Sequence, residues 1–324
     1  MVVTNMYPTE ANPQFGIFVA REVKDVRRAG VEVCVEPVAG QRGELDYFFS
    51  RRRLSRAIAR ERPTLLHLHF GYTQVAAAFL GLPYVVTLHG DDIQGESTGR
   101  GGITLKSRLG VVVTRTLARR AARIIVLNEP MRQQLPLELQ PRSVVLGGGV
   151  DDDHFSPGPK AEARRRLGLG DHELVLAFVN SGRQPTKRLD LAVQTRDELI
   201  ARGRPARLLV AEQVPADEIQ WHYRAADVLL MTSDLEGSPT CVKEALSCGT
   251  PVVSVAVGDV PEVVTTPERG VIVERVPAAL ASGVETVVDR APLERVSLLP
   301  SHLRASTVAD RLIGIYRSVL HRPH

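Results

Sequence analysis

Short apolar runs alternate with amphipathic stretches along the whole chain, a pattern typical of parallel sheets wrapped by helices. In the first half the apolar runs predict strands at residues 2–4, 31–37, 65–69, 84–88, 123–127 and 143–146. The amphipathic stretches between them predict helices, notably at residues 17–29, 52–60 and 105–121. The first half is therefore expected to form one α/β domain.

The alternation stops near residue 150 and then restarts. Residues 147–153 read Gly-Gly-Gly-Val-Asp-Asp-Asp, and the Ser-Pro-Gly-Pro at 156–159 resists regular structure. Beyond this break we expect strands at 174–180, 207–211, 228–232, 251–255 and 271–273, and helices at 188–201, 217–226, 239–248, 277–288 and 303–320.

This pattern predicts two Rossmann-like parallel-sheet domains, residues 1–149 and 150–302, with a helix in 303–324 that returns to the first domain. Open α/β sheets bind ligands at the carboxyl ends of their strands, so a cleft faced by both domains is the expected site.

Composition places the protein among ordinary soluble chains of two domains. Its 324 residues are 44% hydrophobic and 24% charged, and no run of about 18 apolar residues predicts a membrane span. The first residues lack the basic and apolar regions of a signal peptide. Cys34, Cys241 and Cys248 are too scattered for a disulfide framework or a zinc site, so we expect buried thiols in a reducing cytoplasm.

Charge is uneven along the chain. Residues 1–150 carry 20 lysines and arginines against 13 acidic residues, a net of +7, whereas the whole chain is +4. Five arginines lie close together in a predicted helix: Arg51, Arg52, Arg53, Arg56 and Arg60. They can face an anionic acceptor or an anionic membrane, or they can form an ordinary solvated face. Nucleic-acid binding has no motif to support it.

The sharpest chemical signal follows the strand predicted at 228–232. Residues 234–246 read Asp-Leu-Glu-Gly-Ser-Pro-Thr-Cys-Val-Lys-Glu-Ala-Leu. Gly237 permits a tight turn, Ser238 is suited to capping, and Pro239 is suited to the first helical position. A helix is therefore predicted to begin here, and the free N–H groups around Thr240 suit a diphosphate.

Two glutamates flank this predicted helix start. Glu236 lies in the loop before it, and Glu244 lies about a turn and a half inside the helix. A carboxylate at that depth can accept hydrogen bonds from a ribose diol while the helix start holds phosphate. The alternative is a capped surface helix with two solvated glutamates, but the strand–glycine–proline–helix context favours a binding site.

Metal and other cofactor sites are not expected. Asp151 and Asp153 form an Asp-x-Asp, but they lie at the predicted linker. His67 and His69 share one face of a strand, yet two histidines alone seldom make a metal site. Neither a phosphate loop of the Walker type nor the glycine fingerprint of nicotinamide enzymes is present.

The glutamate pair resembles the two-glutamate motif of glycosyltransferase family 4, the large family of retaining transferases with the GT-B fold. Four further segments resemble that family: 13–19 its first glycine loop, 86–91 its histidine segment, 149–157 its interdomain segment, and 182–188 its basic pair. Residues 236–245 and 251–262 are similar to the branch that builds bacterial surface polysaccharides, including teichuronic-acid-type enzymes. Five motifs in order are a specific resemblance.

The resemblance implies a transferase that moves a sugar from a nucleotide-diphosphate-sugar to a saccharide or lipid-linked acceptor, without a metal. Arg183 and Lys187 would neutralise the departing diphosphate, and the helix start formed by Gly237, Ser238, Pro239 and Thr240 would add backbone N–H donors.

The remaining roles are also implied by that resemblance. Glu236 would bind donor-sugar hydroxyls and Glu244 the ribose. Gly16 would allow close approach of backbone to the ligand, and His89 would bond a donor-sugar hydroxyl. The leaving phosphate itself would help to deprotonate the acceptor. The segment 210–227 is shorter than in family members, so the donor base is left open.

Two other functions stay open at this point. A non-hydrolysing nucleotide-sugar epimerase can share the architecture but needs further acid and base carboxylates. A non-catalytic nucleotide-sugar-binding protein would not need Lys187, Glu236, Glu244 and His89 together. We expect a cytoplasmic enzyme, with a peripheral membrane contact as a further hypothesis.

Overall fold

A computed structural model describes residues 1–10, 12, 15–38, 45–95, 105–180, 184–290 and 294–321. The chain divides into two compact units, Met1–Gly149 with Ala305–His324, and Val150–Arg304. The boundary predicted after residue 302 is corrected to follow Arg304, because Val150 forms a parallel bridge with Arg304 and donates to the Leu303 carbonyl at 2.9 Å.

The first unit is built on six parallel strands. They are β1 (Val2–Thr4), β2 (Val35–Pro37), β3 (Leu66–His69), β4 (Tyr84–Leu88), β5 (Arg123–Val126) and β6 (Ser143–Val145). Their order in the sheet is β2-β1-β3-β4-β5-β6. The central strands β3 and β4 are buried along their whole length, as expected inside a parallel sheet, whereas the edge strands β2 and β6 are partly exposed.

Helices cover both faces of this sheet. They are α1 (Ile17–Arg28), α2 (Leu45–Glu61), α3 (Thr73–Ala77), α4 (Asp91–Gln94), α5 (Leu105–Ala118), α6 (Glu129–Gln133) and, from the end of the chain, a helix over Ala305–Leu320. One core joins Leu54 to Leu68 and Val86, and another packs Leu312 of the final helix against Val85 and Ile125. The final helix is therefore part of the core of the first unit.

The second unit repeats the arrangement with five parallel strands: β7 (Leu174–Val179), β8 (Ala206–Ala211), β9 (Val228–Met231), β10 (Val252–Val255) and β11 (Gly270–Val273). Their order is β11-β10-β9-β7-β8. Its helices are α7 (Lys160–Arg166), α8 (Leu189–Ala201), α9 (Ile219–Ala225), α10 (Thr240–Ser247), α11 (Val260–Val263) and α12 (Pro277–Asp289). The helix over Ala305–Leu320 is α13.

The predicted fold class is confirmed, and the differences are local. Helix α2 begins at Leu45 rather than 52, and β2 begins at Val35 rather than 31. The short helices α3, α4, α6, α7 and α11 were not predicted, because four to seven residues carry too little periodicity. Cys34 is half-buried rather than buried. Among the described residues, no helix is long and apolar enough to cross a bilayer.

Candidate active site

Lys187 and Glu236 form an ion pair beyond the carboxyl ends of β7 and β9. The Lys187 ammonium donates to Oε1 of Glu236 at 2.5 Å. Lys187 ends a 3₁₀ turn, Pro185–Lys187, and the Thr232 hydroxyl donates to the Lys187 carbonyl at 2.8 Å. Two residues far apart in sequence are thus held together by the end of a strand.

The electrostatics of this pair favour the charged form of Lys187. Burial acts to lower the pKa of Lys187, but the charge of the Glu236 carboxylate and its hydrogen bond outweigh burial, so the pKa is raised above the ordinary lysine value. The side chains remain 20% and 13% exposed. A ligand that offers phosphate to the ammonium and hydroxyls to the carboxylate can therefore reach both.

Buried charged side chains hold the loop before α10 in place. The Ser238 hydroxyl donates to Oδ2 of Asp259 at 2.7 Å, and the fully buried Lys243 ammonium lies 2.8 Å from the same oxygen. A Cβ at Gly258 would lie 2.7 Å from the Gly237 carbonyl, so the two loops touch through backbone.

This arrangement corrects the local prediction at two residues. Helix α10 begins at Thr240, and Pro239 is its N-cap rather than its first helical residue. No side chain caps the helix, because the Ser238 hydroxyl is turned to Asp259 instead. The first N–H groups of α10 therefore have no side-chain acceptor from the cap, which leaves them suited to an anion.

Glu244 is almost completely buried in α10, at 5% exposure. Its Oε2 accepts a hydrogen bond from the Tyr223 hydroxyl at 2.7 Å. Burial, and then the Glu244 charge, raise the pKa of Tyr223 well above its ordinary value, so the phenol remains a donor. Nothing in the sequence links Tyr223 to Glu244.

In the first unit, His89 directly follows β4, and its backbone is held by Asp92. Oδ1 of Asp92 accepts from the N–H groups of His89 and Gly90 at 3.0 Å, and Oδ2 accepts from Gly71 N–H at 2.9 Å. Burial raises the pKa of Asp92 to about 6 despite these bonds. Sequence reasoning did not single out Asp92, although its place just after a strand end was a usable signal.

Two further residues predicted for the site are Gly16 and Arg183. Gly16 adopts a left-handed conformation with φ of 68°, and a Cβ there would lie 2.3 Å from the carbonyl carbon of Met6. The close approach that requires glycine is therefore to the chain itself, and a ligand contact stays a prediction. Arg183 lies outside the described residues.

A cluster of potential metal ligands lies near His89. Glu22, His67 and His69 each place a ligand atom within 4.8 Å of the others. Within the described part of the chain this is the one group of three such residues, so Asp151 and Asp153 are not in one. The sequence supplied the two histidines, and only the fold adds Glu22 from α1.

Both halves of the chain match models of glycosyltransferase domains. Residues 2–146 match the glycosyl transferase 4-like domain, and residues 163–290 match glycosyl transferases group 1. These two segments are nearly the two units described above.

Several curated relatives carry the name D-inositol 3-phosphate glycosyltransferase. The protein from Geodermatophilus obscurus is 35% identical over 188 residues, which are 47% of this chain and 41% of that protein. The protein from Acidothermus cellulolyticus is 28% identical over 305 residues, 79% of this chain and 67% of that protein. The matched part of the chain thus spans between about two fifths and two thirds of the length of these relatives.

Solved structures share the fold at low identity. Sucrose-phosphate synthase from Thermosynechococcus elongatus has a TM-score of 0.77 at 16% identity, covering 98% of both chains. Anabaena HepE in complex with UDP has a TM-score of 0.71 at 16% identity, covering 98% of this chain and 99% of that one.

Proposed function

Because this chain is a GT4-type glycosyltransferase with the GT-B fold, we propose that it transfers a sugar, with retention, from a nucleotide-diphosphate-sugar to a saccharide or lipid-linked acceptor. The observation that carries the proposal is the half-buried Lys187–Glu236 pair beside the uncapped start of α10. A cation and free N–H groups suit a diphosphate, and the carboxylate suits sugar hydroxyls.

In this proposal the second unit binds the donor. Lys187, with Arg183, neutralises the diphosphate as it leaves, an effect worth about 3–4 kcal/mol per donor in favourable sites. Glu236 binds sugar hydroxyls and Glu244 binds the ribose. The hydrogen bond from Tyr223 fixes the orientation of the Glu244 carboxylate. The charges come from the protein, so no metal is required.

The exposed surface of α2 in the first unit supports the proposal that the acceptor is lipid-linked. Phe48 and Phe49 near the start of α2 are 62% and 70% exposed. Farther along the same exposed side, Arg52 and Arg56 form no ion pair with the described residues. Exposed aromatic rings beside uncompensated arginines suit the headgroup region of an anionic bilayer.

The structure changes which residues of α2 serve that contact. Arg53 binds Glu36 at 2.6 Å, and the Arg51 guanidinium donates to the Phe79 carbonyl at 3.2 Å. Leu54 and Ala57, two apolar residues of the same helix, are buried in the core and so are not available to a membrane. We therefore assign docking to Phe48, Phe49, Arg52 and Arg56, and through it a role in surface polysaccharide or glycoconjugate synthesis of the teichuronic-acid type.

A phosphorylated polyol is the second candidate acceptor. The two curated relatives described above are named for D-inositol 3-phosphate, and the net charge of +7 over residues 1–150 suits an anionic acceptor of either kind.

The donor is identified by a thermal-shift screen with UDP, GDP, ADP and dTDP, since a ligand of the native state raises the melting temperature. Incubation with the corresponding nucleotide sugar then separates the functions. A transferase releases nucleoside diphosphate when an acceptor is added. Rearrangement of the sugar would indicate an epimerase, and binding without any turnover would indicate a non-catalytic protein; either result would overturn the proposal.

A further inference from the structure

Three side chains of the second unit form a closed triangle of hydrogen bonds at the loop before α10. The Lys243 ammonium donates to the Ser238 hydroxyl and lies 2.8 Å from Oδ2 of Asp259. The Ser238 hydroxyl in turn donates to the same carboxylate oxygen at 2.7 Å. The triangle therefore joins the loop before α10, α10 itself and the loop before α11 at one point.

The triangle lies in the protein interior. Lys243 is 0% exposed and Asp259 is 5% exposed. An ammonium in the first turn of a helix opposes the helix dipole, and its burial is costly without an anion, so Asp259 is its necessary partner. Oδ1 of Asp259 is buried and has no hydrogen-bond partner among the described residues, so this carboxylate holds Lys243 and Ser238 through Oδ2 alone.

The segment held by Ser238 is the one that carries Glu236, two residues earlier. The loop before α11 also contacts this segment directly through backbone. A Cβ at Gly258 would lie 2.7 Å from the Gly237 carbonyl oxygen and 3.1 Å from that of Glu236. The backbone contact and the triangle therefore hold residues 236–238 from two directions.

The same loop leads into α10 beside the Lys187–Glu236 ion pair. Cys241 is the second residue of α10. Burial raises the pKa of its thiol to about 12, and the charges of Lys187 and then Glu236 also act on it. The first turn of α10 thus lies close to the ion pair, and a displacement of the loop would move the helix start and Glu236 together.

We propose that Ser238, Lys243 and Asp259 are positioning residues of the donor site. Their side chains hold the loop so that the N–H groups at the start of α10 are preorganised for a diphosphate. The inference rests on the donor function proposed above and deepens it, because it assigns the rigidity of that site to a buried triangle. A loop that is already ordered loses less conformational freedom on binding, which raises affinity.

The mildest test removes the Ser238 hydroxyl and leaves the ion pair intact. The probe is whichever of UDP, GDP, ADP and dTDP the wild type binds, together with the corresponding nucleoside. Ser238→Ala should weaken affinity for the diphosphate about tenfold, the equivalent of one hydrogen bond. Affinity for the nucleoside, measured by NMR titration, should stay within twofold. Ser238→Thr keeps the hydroxyl and should restore diphosphate affinity, whereas a general structural defect would weaken both ligands.

A second variant removes the ion pair as a unit. Lys243→Met with Asp259→Ala leaves no unpaired charge in the interior, and apolar replacement of a buried pair is often neutral for stability. Diphosphate affinity should fall at least tenfold. Adding Ser238→Ala to this variant should cost less than a further twofold, because residues of one network are not additive. Independent, fully additive losses would show that the three side chains do not act together, and so overturn the proposal.

The matched control is Asp227→Asn, which breaks another largely buried ion pair of the second unit. Asp227 lies 2.9 Å from Arg164 and directly precedes β9, at the opposite end of that strand from the loop. This variant should lower the melting temperature yet keep the wild-type ratio of diphosphate to nucleoside affinity. An equal fall of that ratio in the control would reduce the triangle to general structural support and refute positioning.

Two results separate this inference from the function on which it rests. If the wild type binds a nucleoside diphosphate and Ser238→Ala binds it equally well, the positioning role is wrong and the donor site stands. If the wild type binds none of the four diphosphates, the donor site itself fails, and the positioning role fails with it.

Discussion

At the scale of single residues, buried acidic side chains do most of the positioning in this protein. Asp92 holds three backbone N–H groups around His89, and Glu244 is held by Tyr223 inside α10. Buried carboxylates are costly unless they are hydrogen-bonded, so each fixes the groups that solvate it. Substitutions at these residues should therefore have distinguishable effects on nucleotide binding, on the rate of turnover and on the stability of the fold.

The two glutamates should differ in what they affect. Glu244→Ala should weaken binding of the nucleoside diphosphate at least tenfold, because the buried carboxylate is placed for the ribose. Glu236→Ala should leave that affinity nearly unchanged and lower kcat, since its partner is the sugar. Isothermal titration and steady-state kinetics measure both, with Glu198→Ala, a glutamate of α8 paired with Arg202, as the control. Equal loss of nucleotide affinity in both variants would falsify the division of roles.

Asp92 predicts a pH dependence of the stability of the first unit. Its folded pKa of about 6 lies above the ordinary 3.8, so the folded state holds the proton more tightly. The sign follows: this group stabilises the fold below about pH 4 relative to neutral pH, and its contribution falls as the pH rises to about 6. About two pKa units correspond to roughly 3 kcal/mol at most.

Asp92→Asn should remove that dependence. Hydrogen exchange of peptides that span β3 and β4 reads the stability of this unit alone. The wild type minus variant difference in opening free energy should decrease between pH 4 and 7. A difference that is flat or rises with pH would contradict the assignment.

At the scale of elements, contacts between loops and the packing of helix faces determine which side chains and backbone N–H groups remain available to a ligand or partner. The buried Lys243–Asp259 pair ties the loop before α10 to the loop before α11, so Ser238 is drawn away from the helix start. Helix α2 shows the same effect on a surface. Its inner side packs through Leu54 and Ala57, and only the outer side remains for a partner.

Helix α2 should dock on anionic vesicles in a salt-sensitive manner. Each arginine near such a surface contributes about 1 kcal/mol, and each inserted phenylalanine about 1.5–3 kcal/mol. Arg52→Glu with Arg56→Glu should therefore lower vesicle affinity at least tenfold, and so should Phe48→Ser with Phe49→Ser. Co-sedimentation with anionic and neutral vesicles at low and high salt measures this.

The matched control reverses two exposed arginines of the second unit, Arg165→Glu with Arg290→Glu, at the same change in net charge. If this control loses as much affinity as the α2 variants, net charge and not α2 governs binding. Absence of binding to anionic vesicles at low salt would reject docking altogether.

At the scale of the whole molecule, the charges needed for a diphosphate come from side chains and helix starts. The second unit offers Lys187 beside α10, and the group of three potential metal ligands among the described residues lies in the first unit instead. We therefore expect sugar transfer to survive EDTA with less than a twofold loss of rate. A strict requirement for Mn²⁺ or Mg²⁺ in the same assay would reject this expectation and direct attention back to Asp151 and Asp153.

The sequence by itself determined the two α/β units, most strand positions and the strand–loop–helix that carries Glu236, because hydrophobic period and turn chemistry are local properties. Only the tertiary structure decided what the buried polar groups bind. The Tyr223 hydroxyl donates to Glu244, and the Gly71 N–H donates to Asp92. Tyr316 hydrogen-bonds His67, which is 249 positions away in the sequence. Such partners depend on which strand ends and helices become neighbours, and no periodicity in the chain encodes that. Ser238 shows the limit most directly: its sequence context favours a cap, yet the buried Asp259 carboxylate is the acceptor that its hydroxyl meets in the fold.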